Sequence, residues 1–525
     1  MATTRAIRRT ERDRVRGSGR AGVAGGLVAA VLLAGTVDAS AQSTWRFTPS
    51  IATDVTFTNN VSLSPEATRQ SDAIFTVSPG FTVDYRGSRA FLQGSIAVPV
   101  VLYARTGDAN NEFYPSVNLR GQLEVVEDHF FIDASANVSQ TFYSPFGARP
   151  PGLSNATDNR YTYQTYQVSP YLQGNIGNDI SWSIRNDNTW TTLNDTPEAT
   201  DDQYINRLFA TINRQPLPFG WGADIDRTEY RFEDQANKQL LLLARARAVW
   251  RANPQLELFG SAGYEDNEFP LFDTSGAIYG AGVRWRPTDR TTLDASWEHR
   301  FFGESYNLLF EHRRPLSVWT VRASRSLSSY PELLARLPEG AFVPGILNQL
   351  LQSRITDTAE RARFIAEYMA NRGLPVFLDQ PVSVYTQRLY IYDYAGATAG
   401  LFGTRNSVFF TVYRSRQQPI TGSGEDIPAL LTPLDDNTQY GANVVWSYQV
   451  SPFTTFTMSG NAFRTEAEPP FIDRTEQFVL RGIFTRPISP NTNAYFGARW
   501  QTFDSNVDAN WREAAVFAGF SHSFR

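Results

Sequence analysis

The sequence predicts an all-β fold: a transmembrane, antiparallel, up-and-down β-barrel of about 22 strands (roughly 18–24). Three observations predict it. Side chains alternate between apolar and polar with a period of two. The breaks between alternating stretches are short and long in turn, and an export leader is followed by no apolar run long enough for a spanning helix.

The leader comes first. Arg5, Arg8, Arg9, Arg12, Arg14, Arg16 and Arg20 precede an apolar run from Ala21 to Gly35, and Ala39-Ser40-Ala41 supplies the small-residue site at which a signal peptidase cuts. Residues 1–41 are therefore expected to be a cleavable signal peptide and residues 42–525 an exported barrel. Thr10-Glu11 after Arg8-Arg9 disfavours a twin-arginine signal. Only Ser43 and Thr44 separate Gln42 from the first alternating strand, so no N-terminal plug domain is expected after the leader.

Composition narrows the class further. The 525 residues include no cysteine, so no disulfide or thiolate metal site is available. A net charge of -5, with both signs mixed along the chain, argues against a nucleic-acid partner. Lys238 is the only lysine. Mean hydropathy is -0.34, yet 13% of residues are aromatic, a balance suited to strands with interfacial girdles.

The strands follow. In "YGAGVRWRPTDRTTLDASWEHRF" (279–301), Tyr279, Ala281, Val283 and Trp285 share one parity and Gly280, Gly282, Arg284 and Arg286 the other. After "PTDR", Leu293, Ala295 and Trp297 alternate with Asp294, Glu298 and Arg300. "LARARAVW" (243–250) adds Arg245 and Arg247 opposite Ala244, Ala246, Ala248 and Trp250. A lipid-facing arginine costs roughly 2–4 kcal/mol near the midplane. Arg245, Arg247, Arg284, Arg286, Asp294, Glu298 and Arg300 are thus the candidate lumen-lining residues. An arginine at Val283 should be disruptive, and a serine at Gly282 tolerated.

Ten breaks are tight, among them "YRGS" (85–88), "IGND" (176–179), "RPTDR" (286–290), "FGTRN" (402–406) and "RPISPN" (486–491). Between them fall longer polar stretches, including 144–160, 194–203 and 418–437. Short periplasmic turns and long extracellular loops are the signature of an outer-membrane barrel. Thr288 is accordingly expected at the periplasmic end, and Asn155, Asp201 and Gly424 on exposed external loops.

One long stretch, 328–381, loses strand alternation. Asp357 and Glu360 form a capping-box pattern, Phe364, Ile365, Tyr368 and Met369 repeat at helical spacing, and Gly373 with Pro375 ends the run. A second helical stretch surrounds residues 345–353. The expectation is a helical insertion in one extracellular loop, with Phe364, Ile365, Tyr368 and Met369 as a candidate gate or plug, removable as 331–373.

The segment after it, "VSVYTQRLYIYDYAGATAGLFGTRNSVFFTVYRSRQQP" (382–419), together with "RGLP" ahead of it, resembles an uncharacterised family of outer-membrane β-barrels encoded with PEP-CTERM/exosortase sorting systems and exopolysaccharide gene clusters. The resemblance spans the mature chain and is most specific from Leu374 to Arg416. It implies the bacterial outer membrane, its lipid, and exopolysaccharide or its export proteins as partners; it implies no catalytic residues. At the C-terminus Gly519, His522 and Phe524 resemble the signal read by the outer-membrane assembly machinery, with His522 at a usually apolar position and Arg525 beyond the last aromatic.

No enzyme motif is present. His129, His299, His312 and His522 are isolated, and neither a zinc-binding H-E-x-x-H nor a G-x-S-x-G elbow occurs. No cofactor or metal site is expected. Two main readings follow: a pore or export component, or a structural, surface-anchoring barrel with a plugged lumen. An outer-membrane enzyme is a distant third.

Overall fold

A computed structural model describes residues 44–194, 202–232, 238–269, 273–329, 332, 342–352, 354–372, 374–376, 378, 381, 389–420, 436–469 and 471–524. The leader, Asp201 and Gly424 lie outside the described residues. The strand segments are β1 (Thr44–Thr58), β2 (Asp72–Arg86), β3 (Ala90–Ala97), β4 (Val100–Tyr103), β5 (Glu112–Phe113), β6 (Ser116–Val126), β7 (Phe130–Phe142) and β8 (Arg160–Ile176). They continue as β9 (Ile180–Asn194), β10 (Gln203–Arg214), β11 (Phe219–Phe232), β12 (Gln239–Asn253), β13 (Leu256–Glu268), β14 (Asp273–Thr288), β15 (Thr291–Arg300) and β16 (Gly303–Arg314). The last are β17 (Ser317–Ser328), β18 (Tyr390–Phe402), β19 (Asn406–Pro419), β20 (Asn437–Ser451), β21 (Thr454–Ala467), β22 (Arg474–Ser489), β23 (Thr492–Ser505) and β24 (Trp511–Ser523).

Each segment pairs antiparallel with its neighbours, and β24 pairs with β1 over Ser50–Thr58, so the sheet closes and has no edge. β3 and β4 are two halves of one stave, both paired to β2, while β5 and β6 form the next stave; the barrel therefore has 22 staves. Proline causes both interruptions. Pro79, Pro99 and Pro115 fall at adjacent points on successive staves, and a residue without an N–H cannot donate to the ladder. The chain bridges the gap through Val98 N to Pro79 O (3.0 Å) and Tyr114 N to Pro99 O (2.8 Å).

Short and long connections alternate, with one exception. β15 and β16 meet at the long-loop end across only Phe301 and Phe302, where Gly303 takes a φ of 95°. Both the start of β1 and the end of β24 lie at the short-turn end.

Period two sorts the two faces. On β12, β14 and β15 the outward side chains include Trp250, Tyr279, Trp285 and Trp297, all exposed. They belong to a barrel-wide belt of exposed aromatic and aliphatic residues, the surface that lipid covers. Gly282, by contrast, is not a neutral inward position. A Cβ there would meet Phe259 Cζ at 2.1 Å and Ala295 O at 2.7 Å, so the glycine makes room for a ring on the lumen face. Serine at Gly282 should therefore perturb the wall. Thr292, inward on β15, is the better control. Val283→Arg is expected to cost about 2–4 kcal/mol and to lower the folded fraction in heat-modified electrophoresis, while Thr292→Ser should match the native protein. Equal folded yields would reject the outward assignment of Val283.

Candidate functional site

The inner wall from β7 to β16 is built of arginine–carboxylate pairs. Arg245 Nη1 donates to Glu298 Oε1 (2.6 Å) and Nη2 to Asp224 Oδ2 (3.0 Å), and Arg247 Nη2 reaches Asp224 Oδ1 at 3.0 Å. The β12-to-β15 contact is a chord across the concave side, which places these groups inside the barrel. Arg284 bonds Asp294 (3.1 Å) and Glu257 (3.3 Å), Arg251 bonds Glu257 (2.6 Å), and Arg300 bonds Glu265 (2.7 Å). Farther round, Arg185 joins Asp133 and Asp187, each at 2.7 Å, and Arg207 is clamped by Asp226.

Six of the seven residues singled out on sequence thus sit in three inward clusters: Arg245, Arg247 and Glu298 with Asp224, Arg284 and Asp294 with Glu257, and Arg300 with Glu265. Arg286 does not. It is exposed at the turn end, past the point where the β14–β15 register shifts after Trp285. The carboxylates that neutralise the arginines, Asp224, Glu257 and Glu265 above all, were missed because each looks ordinary on its own strand. Pairing the strands in register is the signal that finds them, since Asp224 lies opposite Arg245 and Glu257 opposite Arg284. Opposite charges so close cancel locally, and a wall of pairs presents hydrogen-bonding groups with little net field. It faces water: the Arg207 and Arg284 side chains are each 43% exposed.

The opposite wall is filled. The insertion leaves β17 and rejoins β18 at the long-loop end, where Ser328 pairs with Tyr390. At that mouth its arms reach across to β10 and β11: Tyr230 Oη donates to Glu332 Oε1 (3.1 Å), and Leu389 packs with Ile205, Tyr230 and Phe232. Its two helices, α1 (Val343–Leu351) and α2 (Thr358–Arg372), lie elsewhere. They sit inside the barrel near the short turns. Arg354 Nη2 donates to Pro315 O (3.0 Å) and Arg372 Nη1 to Arg405 O (3.3 Å), both acceptors being in short turns.

Apolar matching explains that descent. Val343, Ile346, Leu347, Leu350 and Leu351 of α1 and Ile365 and Met369 of α2 form one core with Val318, Phe402, Phe409 and Val445, inward residues near the lower ends of β17–β20. Asp357 Oδ1 accepts from Glu360 N (2.7 Å) at the start of α2, and the Arg372 carbonyl at its end accepts from Thr457 Oγ1 (2.8 Å) and Ser447 Oγ (3.2 Å). Of the four candidate gate residues, Ile365 and Met369 are buried and the Tyr368 hydroxyl lies 2.6 Å from Ser407 Oγ. Phe364 differs, being exposed and in ring contact with Tyr368. The insertion leaves and rejoins the wall at the long-loop end, but its helices pack inside the barrel near the short turns rather than over the mouth.

A second loop also turns inward. Residues 144–159 fold onto β21–β24, where Arg499 and Glu513 form a pair with side chains 4% and 0% exposed, at 2.7 Å. Asn155 Oδ1 accepts from Arg499 Nη2 (2.7 Å), Ser154 Oγ from Nη1 (3.2 Å), and Arg149 donates to Thr465 Oγ1 (3.1 Å). Asn155, expected on an exposed loop, is fully buried. The reason is a polar contact some 350 residues away in sequence: its amide completes the shell of Arg499 and Glu513.

At the C-terminus Gly519 faces inward; a Cβ there would lie 2.3 Å from Thr53 O and 2.5 Å from Tyr495 Oη, so the closing seam requires glycine. His522 and Phe524 project outward in an edge-on ring contact at 4.6 Å, and His522 Nδ1 lies 2.8 Å from Thr492 Oγ1. Among the described residues no group of three His, Asp or Glu can hold a metal.

A closed 22-stave barrel with an apolar outer belt and a lumen partly filled by its own loops defines an outer-membrane β-barrel. No protein-family model matches the chain, and no curated protein matches it. Similar solved structures include the siderophore receptor PirA from Acinetobacter baumannii, at 10% identity over 92% of this chain and 81% of that one, with a TM-score of 0.45. The FrpB iron transporter from Neisseria meningitidis gives 10% identity over 94% and 83%, with a TM-score of 0.47. Likeness at this level speaks to neither ligand nor mechanism.

Proposed function

We propose that the protein is a gated outer-membrane passage in which residues 328–389 are the gate and the paired-charge wall of β7–β16 lines the path. The supporting observation is the division of the lumen: a plug packed on β16–β22 at the floor, facing a wall whose arginines stay in contact with water. The resemblance of 374–416 to barrels of exopolysaccharide clusters supports a secreted polysaccharide as cargo. A wall neutralised pair by pair suits such a polymer, because it offers donors and acceptors while repelling neither sign of charge.

A disulfide tests the gate. A Cβ at Gly400 would lie 3.0 Å from Ile346 Cγ2, within reach of an Ile346→Cys/Gly400→Cys bridge, and the native chain has no cysteine to interfere. The oxidised double variant is expected to hold a low conductance in planar bilayers, and reductant should restore openings. Identical traces before and after reduction would reject a gate that moves from this wall. The buried contact of 144–159 with Arg499 and Glu513 favours a second reading, a structural barrel kept permanently obstructed; conductance insensitive to both the bridge and removal of the insertion would support it.

A further inference from the structure

One inward arginine of the filled wall has no counter-ion. Arg481 on β22 lies in register with Ser459 on β21 and Arg499 on β23. Its guanidinium sits over the Phe517 ring, 4.7 Å from the centroid, and among the described residues it makes no hydrogen bond and no ion pair. Arg245 and Arg247 also have a buried Nε without a partner, but their other nitrogens hold carboxylates. Those of Arg481 hold none.

The carboxylates nearby are committed elsewhere. Glu513 accepts from Arg499 Nη2 (2.7 Å), Thr58 Oγ1 (2.7 Å) and Gln501 Nε2 (3.1 Å), and Asp54 from Tyr495 Oη (3.0 Å) and Thr56 Oγ1 (2.7 Å). A positive charge packed on a ring, with a second arginine on the adjoining strand, is screened less than one in bulk water and attracts an anion more strongly.

The surroundings form a recess. Toward the long-loop end, the inward loop 144–159 is tied to the wall by Arg149, whose Nη2 donates to Thr465 Oγ1 (3.1 Å) and whose N donates to Gln477 Oε1 (3.0 Å). Toward the short turns, the Arg372 carbonyl that ends α2 accepts from Thr457 Oγ1 (2.8 Å). Between these ties β21 presents Ser459 and Asn461 inward and β22 presents Arg481, all three half-buried. Asn461 Oδ1 accepts from Asn443 Nδ2, which leaves Asn461 Nδ2 to donate. The strand from Thr457 to Thr465 is roughly 26 Å long at about 3.3 Å per residue, room for several sugar rings.

We propose that this recess binds an acidic saccharide, with Arg481 taking a sugar carboxylate in a two-pronged contact and Ser459 and Asn461 taking the hydroxyls beside it. The assignment rests on the reading of the chain as a passage for a secreted polysaccharide, and it narrows the cargo to a polymer that carries carboxylates. A neutral sugar leaves the guanidinium uncompensated. A small inorganic anion leaves the amide and hydroxyl unused.

The probe is trigalacturonate, titrated calorimetrically into the full-length barrel in detergent at low salt. Saturable binding is expected, weakening as salt rises. Arg481→Gln should lower the affinity at least about tenfold, while Arg290→Gln, at an exposed turn, leaves it unchanged. A second measurement leaves Arg481 in place: Ser459→Cys gives the chain its only thiol, and trigalacturonate, unlike maltotriose, should slow its modification by a negatively charged methanethiosulfonate several-fold. Absence of saturable binding, equal affinity in Arg481→Gln, or equal affinity for maltotriose or inorganic sulfate would overturn the assignment. Neither measurement uses a current, so their failure leaves the gate standing, and a failed disulfide test leaves the recess standing.

Discussion

Deleting the insertion is expected to leave a folded barrel whose single-channel conductance is several times that of the native protein. The cut must run from 331 to 388, not to 373. Leu374 belongs to the core at the floor, whereas Leu389 lies at the mouth beside Leu327, so a short Gly-Ser bridge can join only the longer pair of ends. Barrel closure survives because every ladder bond is made between strands, and none depends on the insertion. Some stability is lost, since Val318, Phe402, Phe409 and Val445 lose their apolar cover, each fully buried side chain being worth about 1.5–3 kcal/mol. Conductance unchanged, with weaker retention of secreted polysaccharide, would make the insertion a docking element. Loss of the folded barrel would make it a structural one.

Glu513→Leu should be the most destabilising single substitution in the wall, by about 3–5 kcal/mol, because it strands Arg499 as a buried, unpaired cation. Glu513 also accepts from Thr58 Oγ1 (2.7 Å) on β1 and Gln501 Nε2 (3.1 Å) on β23, so one carboxylate links both staves flanking β24 to the 144–159 loop. The midpoint of denaturant unfolding in detergent should fall accordingly. Adding Arg499→Met should recover much of the loss, because an apolar pair of similar volume carries no stranded charge. A double variant as unstable as the single one would locate the penalty in the Asn155 and Thr58 contacts instead.

Much of the architecture was legible in local patterns. Alternation at period two put Arg245, Arg284 and Glu298 on one face and Trp250, Val283 and Trp297 on the other, and turn chemistry such as Gly177 at a φ of 65° marked the short connections. Strand number followed from the same rhythm, while the proline breaks between β3 and β4 and between β5 and β6 appear only once the staves are aligned.

What the sequence by itself determined is therefore the barrel: which residues face lipid, which face the lumen, and which ends of the strands carry long loops. These are consequences of neighbours one or two positions apart. The tertiary structure alone decided where the long loops go. The α1 and α2 faces are recognisably apolar, but their destination depends on Val318, Phe402, Phe409 and Val445, single residues on four strands that make an apolar surface only when the sheet sets them side by side. Asn155 likewise looks like a loop residue until Arg499 and Glu513 are brought to it. An inward loop settles where the wall matches it in polarity, and that match is assembled from positions too far apart in the chain for any local pattern to carry.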